Sequence, residues 1–227
     1  MNLNLDFSVV LERWPSFLGG AWLTLQLAAL ATCIGGAVGI LAAIGRRSRN
    51  RFVAGACEVY VEAIRNTPLL VQIFLVYFGL ASLGFRFSAF AVAALALVIN
   101  VGAYTTEIVR AGLDAIPRGQ IEAAQGLALS RAQIYRHVVL LPAIERVWPS
   151  LTSQFVLLML ASSVTSQISA EELTAVANYI QSDTYRAFEA YMVVAVIYLA
   201  LSFVMRAGFW VLGLALFPRR RRLGTPL

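Results

Sequence analysis

In the stretch "MLASSVTSQIS", five side chains able to form hydrogen bonds, Ser162, Ser163, Thr165, Ser166 and Gln167, crowd into six positions between apolar neighbours. Asn100 stands alone in another apolar run. Such groups have two chemistries open to them. They can bond a small polar solute passing through an apolar surround, or a serine among them can attack a carbonyl carbon if a general base lies within hydrogen-bond reach. The single histidine, His137, sits beside Arg136 and far along the chain from Ser162, so the nucleophilic chemistry has no evident base. A plainer role is also open, in which the hydroxyls bond the carbonyls of their own helix or join two helices. Cys33 and Cys57 have no metal-like spacing, so both are expected to be packing residues and no metal site is expected.

A second stretch, "EAAQGLALS" from Glu122 to Ser130, carries different chemistry. Glu122 followed by Ala123 and Ala124 would give a shallow helix face bearing a carboxylate. Another protein's backbone could approach it closely, and a basic partner could form a charge-assisted hydrogen bond. The same letters also suit an alanine-rich helix with a solvated glutamate. Ser130 and Gln133 have the spacing of a capping box, and Leu129 and Ile134 that of a hydrophobic staple, so a new helix is predicted to begin there. Ile134, Val138 and Leu141 would form its apolar stripe, and Pro142 would end or kink it. Ile121, Ala124 and Leu127 offer a smaller stripe upstream. The segment thus reads as two short helices with a bend near Ala128.

Both stretches must be positioned by elements that live in lipid. Apolar residues make up 59% of the chain and charged residues 13%, which excludes an ordinary soluble domain. The expected fold class is an all-α integral membrane protein. Five transmembrane helices are predicted at about 16–45, 67–85, 87–110, 147–169 and 188–216, most of them near the ~20 residues that cross the hydrocarbon core. The charge of +6 comes from arginine alone. Arg46, Arg47, Arg49 and Arg51 follow the first span. Arg110, Arg118, Arg131, Arg136 and Arg146 surround the connection at 113–145, and Arg219 to Arg222 follow the last span. Arg13, Arg86 and Arg186 remain for the opposite side. The positive-inside bias then places the amino terminus outside, the carboxy terminus in the cytoplasm, and "EAAQGLALS" on the cytoplasmic side.

The amino-terminal sequence lacks the pattern of a cleavable signal peptide, so residues 1–15 are expected to form an external, periplasmic segment and 218–227 a cytoplasmic basic tail. After the first span, "FVAGACEVYVEAIRNTP" suits either a short interfacial helix ended by Pro68 or one helix kinked there. The segment between the last two spans is expected to be an external loop with some helix. Arg206, late in the last span, can extend its head to the cytoplasmic surface.

The order of "TLQLA", "RNTPLLVQIFLVYFGL" and "AYTTEIVRAGLDAIPRGQIEAAQGLALS", closed by "LLP", resembles the membrane subunits of polar amino acid ATP-binding-cassette importers. That family includes histidine, glutamine, arginine and glutamate permeases, and the resemblance runs from about Gly19 to Leu173. It implies a type I importer transmembrane domain over 16–217, with the connection serving as a coupling helix seated in a groove of a cytoplasmic ATPase. Glu122, Ala123 and Ala124 match its motif, and Leu141 and Pro142 match the closing Leu-Pro, one residue later than in the family pattern. The motif's glycine is Ala128 here, leaving Gly126, two residues earlier, as the candidate for the bend.

In that family the stretch matching "MLASSVTSQIS" and the asparagine matching Asn100 line the path of a small molecule. Leu160 and Ala161 stand where a Lys-Asp pair would be, which points to a neutral or acidic amino acid. The resemblance further implies a dimer of ATP-binding subunits carrying ATP and magnesium. It also implies a second permease subunit, identical or homologous, a periplasmic or tethered amino acid-binding protein, and residence in a bacterial inner membrane. The chain has no phosphate loop of its own, so it is expected to bind no cofactor and to catalyse no reaction; no nucleic acid partner is expected. The competing readings are an intramembrane serine protease, which lacks a base, and a channel, which lacks a filter sequence.

Overall fold

The computed structural model describes residues 5–217, and every regular element among them is helical. The basic tail at Arg219 to Arg222 lies outside the described residues. A single turn, α1 (Ser8–Leu11), precedes α2 (Trp14–Leu30), which passes through the π-helical segment Ala31–Gly35 into α3 (Gly36–Arg46). Then come α4 (Arg51–Arg65), α5 (Leu69–Ser82), α6 (Ala89–Asp114) and α7 (Arg118–Gly126). The turn α8 (Arg131–Gln133) continues through a second π segment, Ile134–Leu140, into α9 (Leu141–Ala161) and then the 3-10 segment Ser162–Ile168. The chain closes with α10 (Leu173–Thr184) and α11 (Ala187–Leu216).

Four of these continuous helices are long and apolar enough to cross a membrane: Trp14–Gly45, Ala89–Asp114, Arg131–Ile168 and Ala187–Leu216. The predicted second span falls on the second arm of a bent pair, α4 and α5, whose axes are bent by 111°. That arm, 14 residues long, measures about 21 Å at the α-helical rise and is shorter than the hydrocarbon core. The sequence left open whether Pro68 kinks one helix or starts another. It starts another, as the N-cap of α5 in an extended conformation with ψ 140°.

α6 is the axis of the bundle. Leu97, Val101, Val109 and Leu113 on it are almost fully buried, and around them pack Ala31, Ala43, Ile73, Leu151 and Phe155. The tightest approach is to the end of the π segment and α3, where Gly35 and Gly39 have the small-xxx-small spacing that lets membrane helices touch by their backbones. A Cβ on Gly39 would lie 2.7 Å from the Gly102 carbonyl oxygen, and one on Gly35 would lie 2.8 Å from that of Val98. A smaller core at the other end joins α1, α2, α10 and α11 through Val10, Phe17, Leu173, Ile180 and Val194.

The helix that contains the predicted fourth span begins well before it. Pro142 neither ends nor breaks the helix, which runs from Arg131 to Ile168. Proline cannot supply the amide for an i−4 bond, and the π segment immediately before it spaces its bonds by five residues instead of four, so the helix axis carries on. The same insertion rotates the buried face. Ile134, Val139 and Ala143 are buried, whereas Leu141, expected on the apolar stripe, is 47% exposed. The connection between the long helices thereby narrows from the predicted 113–145 to residues 115–130.

Candidate functional site

α7 is held to the bundle through one face and leaves the other bare. Ala124 is buried and Ile121 half-buried against Ile134, Tyr135 and Val138, while Glu122, Ala123, Gly126 and Ala128 are exposed. Leu127, expected to complete the inner stripe, points outward and is 77% exposed. The helix starts after Pro117, which fits the first turn because an amide there has no intrahelical partner.

The bend is made by Ala128, with φ 56°, and not by Gly126, which is the last helical residue. The Ala128 amide donates to the Gln125 carbonyl at 2.9 Å and the Leu129 amide to the Ala124 carbonyl at 3.2 Å. These are the two bonds of a Schellman closure, which requires the left-handed residue one position after the cap, wherever the glycine stands. Ser130 then opens the next helix: its hydroxyl accepts from the Gln133 amide, and the Gln133 side chain accepts from the Ser130 amide at 2.9 Å. The outcome is a short helix on a stiff backbone hinge, with a carboxylate, an alanine and a leucine facing outward.

The intramembrane polar cluster has the opposite character. Ser162 and Thr165 are fully buried, and each hydroxyl donates to a carbonyl three residues back, Ser162 to Met159 at 2.6 Å and Thr165 to Ser162 at 2.7 Å. Ser166 does the same with Ser163 at 2.8 Å. Ser163 is half-buried, and Gln167 is the exposed member. Asn100 is 7% exposed and is not hydrogen-bonded to this cluster. Its amide donates to Gln72 Oε1 at 2.9 Å, and Gln72 Nε2 donates to the carbonyls of Ile64 at 2.7 Å and Thr67 at 2.9 Å. The pair therefore bonds a carbonyl in the last turn of α4 and one in the turn that follows, and holds the α4–α5 elbow. Ser162 and His137 lie on one continuous helix, about 37 Å apart at the α-helical rise, so these two form no catalytic pair.

Three groups were missed by sequence reasoning. Gln72 looked like one polar residue in an apolar span. Glu107 gathers arginines at the end of the bundle where α3 and α6 finish. Glu172 is fully buried at the start of α10, where Oε1 accepts from the Ala175 amide at 2.9 Å and Oε2 from the Tyr198 hydroxyl at 2.6 Å. Burial pushes its carboxyl up from the ordinary glutamate range. Thr24 on α2 accepts from the adjacent Leu173 amide at 3.2 Å, so this corner ties α2, α10 and α11 together. The acidic pair in "EELT" directly before a helix was the available signal, since a carboxylate there can act as an N-cap.

Comparison with known proteins agrees with this geometry. The family described as binding-protein-dependent transport system inner membrane component matches residues 35–213. The octopine transport system permease protein OccM of Rhizobium radiobacter is 35% identical over 225 residues, covering 95% of this chain and 92% of that protein. The arginine transport system permease protein ArtQ of Bacillus subtilis is 31% identical over 204 residues, covering 89% and 93%. Among solved structures, an amino acid ABC transporter crystallised with histidines superposes with a TM-score of 0.85 at 37% identity, covering 96% of this chain and 100% of that one. An inward-facing MetNI methionine ABC transporter shares the fold, with a TM-score of 0.73 at 19% identity over 88% and 95% of the two chains. With a two-sided helix on a rigid hinge at one end of a bundle of apolar spans, and matches covering nearly its full length, this multi-pass membrane chain belongs to the binding-protein-dependent transport system inner membrane component family.

Proposed function

We propose that the chain is the permease subunit of an ATP-driven importer that carries a polar amino acid across the inner membrane by alternating access. The amino terminus lies outside and the carboxy terminus in the cytoplasm. A separate dimer of ATP-binding subunits, which binds ATP and magnesium, drives it through α7. A second permease subunit and an external binding protein complete the assembly. The observation that carries this reading is the bare face of α7. Glu122, Ala123 and Leu127 are exposed on a helix whose other face is anchored, as a docking element requires. The relatives, permeases named for octopine, nopaline, glutamine and arginine, support an amino acid as cargo.

Those names cover more than one charge type, so the charge preference rests on this chain's own residues. Leu160 and Ala161 put no carboxylate beside the polar cluster, which favours a neutral or acidic amino acid. Gln167 and Ser163 are the members of that cluster that can turn to the cargo, since Ser162, Thr165 and Ser166 are engaged with their own helix. Closure of the ATPases would move α7, and the helices attached to it would rock the pathway open to one side. Uptake into vesicles containing the complete complex tests the reading. Glutamine or glutamate should compete with the labelled substrate and arginine or lysine should not. Inhibition by the cationic amino acids alone would refute the charge preference.

A further inference from the structure

Where α3, α4 and α6 end together, one carboxylate faces three guanidinium groups. Glu107 Oε2 lies 2.9 Å from Arg46 Nη1 and 3.9 Å from Arg65 Nη1, and both its oxygens accept from Arg110 Nε at 3.1 Å. The cluster continues on either side. Arg46 also reaches Glu58 at 3.4 Å. Arg110 Nη1 bonds Asp114 at 2.6 Å, and Arg47 faces Asp114 at 3.6 Å. Arg65 additionally lies over the Tyr104 ring, 5.9 Å from its centroid. Arginine is suited to this arrangement because its planar fork can share one carboxylate with neighbours that approach from other directions.

We infer that Glu107 is the positioning residue through which movement of the coupling connection reaches α3, α4 and, beyond them, α5; this rests on the permease reading proposed above. Glu107, Arg110 and Asp114 share one face of α6, and Asp114 is its last residue. Only Ala115, Ile116 and Pro117 separate Asp114 from α7. The Ala115 carbonyl is held by Arg146 of α9 at 2.8 Å, so the first residue of the connection is tied to α9 as well. A push on α7 is thus delivered to the last turn of α6. From there Glu107 is, among the described residues, the one carboxylate that meets α3 through Arg46 and α4 through Arg65. The Gln72 bonds at the elbow carry the displacement of α4 on to α5. Side chains in the cluster keep 16% to 49% of their surface, apart from Glu58 at 62%, so water competes for each pair and the contacts can break and re-form within a transport cycle.

The test compares Glu107→Gln and Glu107→Asp with wild type in the complete, ATPase-bound complex, reading uptake rate, substrate KM and ATP hydrolysed per molecule imported. Glu107→Gln should lower maximal uptake about tenfold, leave KM within about twofold, and leave ATP hydrolysis running in an assembled complex, while Glu107→Asp should recover most of the loss. A second measurement needs no partner. Hydrogen exchange on the purified permease should speed up together in 51–65 and 115–130 of Glu107→Gln, with α10 unchanged. Uptake within about twofold of wild type, or unchanged exchange, would overturn the inference. So would disassembly of the complex by both variants alike, since that marks a purely structural residue. A wild-type complex that moves no amino acid counts instead against the permease reading, and the exchange measurement still decides the role of Glu107.

Discussion

The connection at 115–130 and the 3-10 segment at 162–168 are polar interruptions of apolar runs, and they use their polar groups in opposite ways. In the connection the backbone satisfies itself, through the Schellman closure at Ala128 and the capping box at Ser130, and the side chains of Glu122 and Ala123 are left facing outward. In the 3-10 segment the side chains of Ser162, Thr165 and Ser166 are spent on carbonyls of their own helix, leaving Gln167 and Ser163. A hydroxyl in lipid without a partner is expensive, so a serine there bonds the nearest carbonyl first. Polar residue type marks where a site can be. Which hydrogen bonds are already made decides which side chains remain to act.

Substitutions at the two interruptions, with the buried corner at Glu172 as a reference, sharpen that contrast. The largest effect belongs to the bare face. Glu122→Arg combined with Leu127→Asp should reduce ATP-driven uptake by more than about tenfold while the permease keeps its unfolding temperature, because both residues are exposed. Undiminished uptake would remove docking from α7.

Next comes Glu172. Glu172→Ala deletes a buried N-cap and the Tyr198 partner and should cost about 2 to 3 kcal/mol in denaturation of the purified protein. Glu172→Gln keeps the cap and separates charge from shape. Because burial raises the folded-state carboxyl, the native protein holds a proton that the unfolded chain has already released. Stability linked to this group is therefore present below the ordinary glutamate value of about 4.3 and lost as pH rises above it towards the raised native value. Melting curves of wild type minus those of Glu172→Gln should show a downward slope across that window. A flat difference would mean that the corner is more hydrated than its geometry implies.

The bend should respond more modestly. Ala128→Gly should stabilise by about 0.5 to 1 kcal/mol, because glycine adopts the left-handed conformation freely. Ala128→Val should weaken both stability and coupling. Gly126→Val should leave melting nearly unaltered, since a Cβ there meets open space in the chain itself. The smallest change separates the two kinds of polar residue in the 3-10 segment. Ser162→Ala should cost about 1 kcal/mol of stability with substrate KM unchanged, whereas Gln167→Ala should raise KM and leave melting unaltered.

Much of this was legible in the residues. The apolar runs led to the spans, and Ser130 with Gln133 marked a helix start that the structure contains. The failures share a cause, which is that the deciding partner lies far away in sequence or in an unusual backbone state. Nothing in the letters distinguishes a π segment at Ile134–Leu140, so Pro142 read as a stop or a kink and Leu141 as part of the apolar stripe. The bend was expected near Ala128, where the motif has glycine, but alanine itself gives no sign of a left-handed residue, and Gly126 drew attention because glycine adopts that conformation most readily. Asn100 was recognisable as a costly polar group, but its partner Gln72 sits 28 residues away on the neighbouring helix. The Gly35 and Gly39 spacing was readable as a close helix contact from sequence alone, although not which helix it would touch.

The most direct measurement is accumulation of a labelled polar amino acid in proteoliposomes containing this chain with its second subunit and binding protein, with and without the ATP-binding subunits and ATP. Uphill accumulation is expected only when the ATP-binding subunits and ATP are both present, and it should vanish in the Glu122→Arg, Leu127→Asp permease. Uphill accumulation in their absence, or accumulation indifferent to changes on α7, would contradict the account.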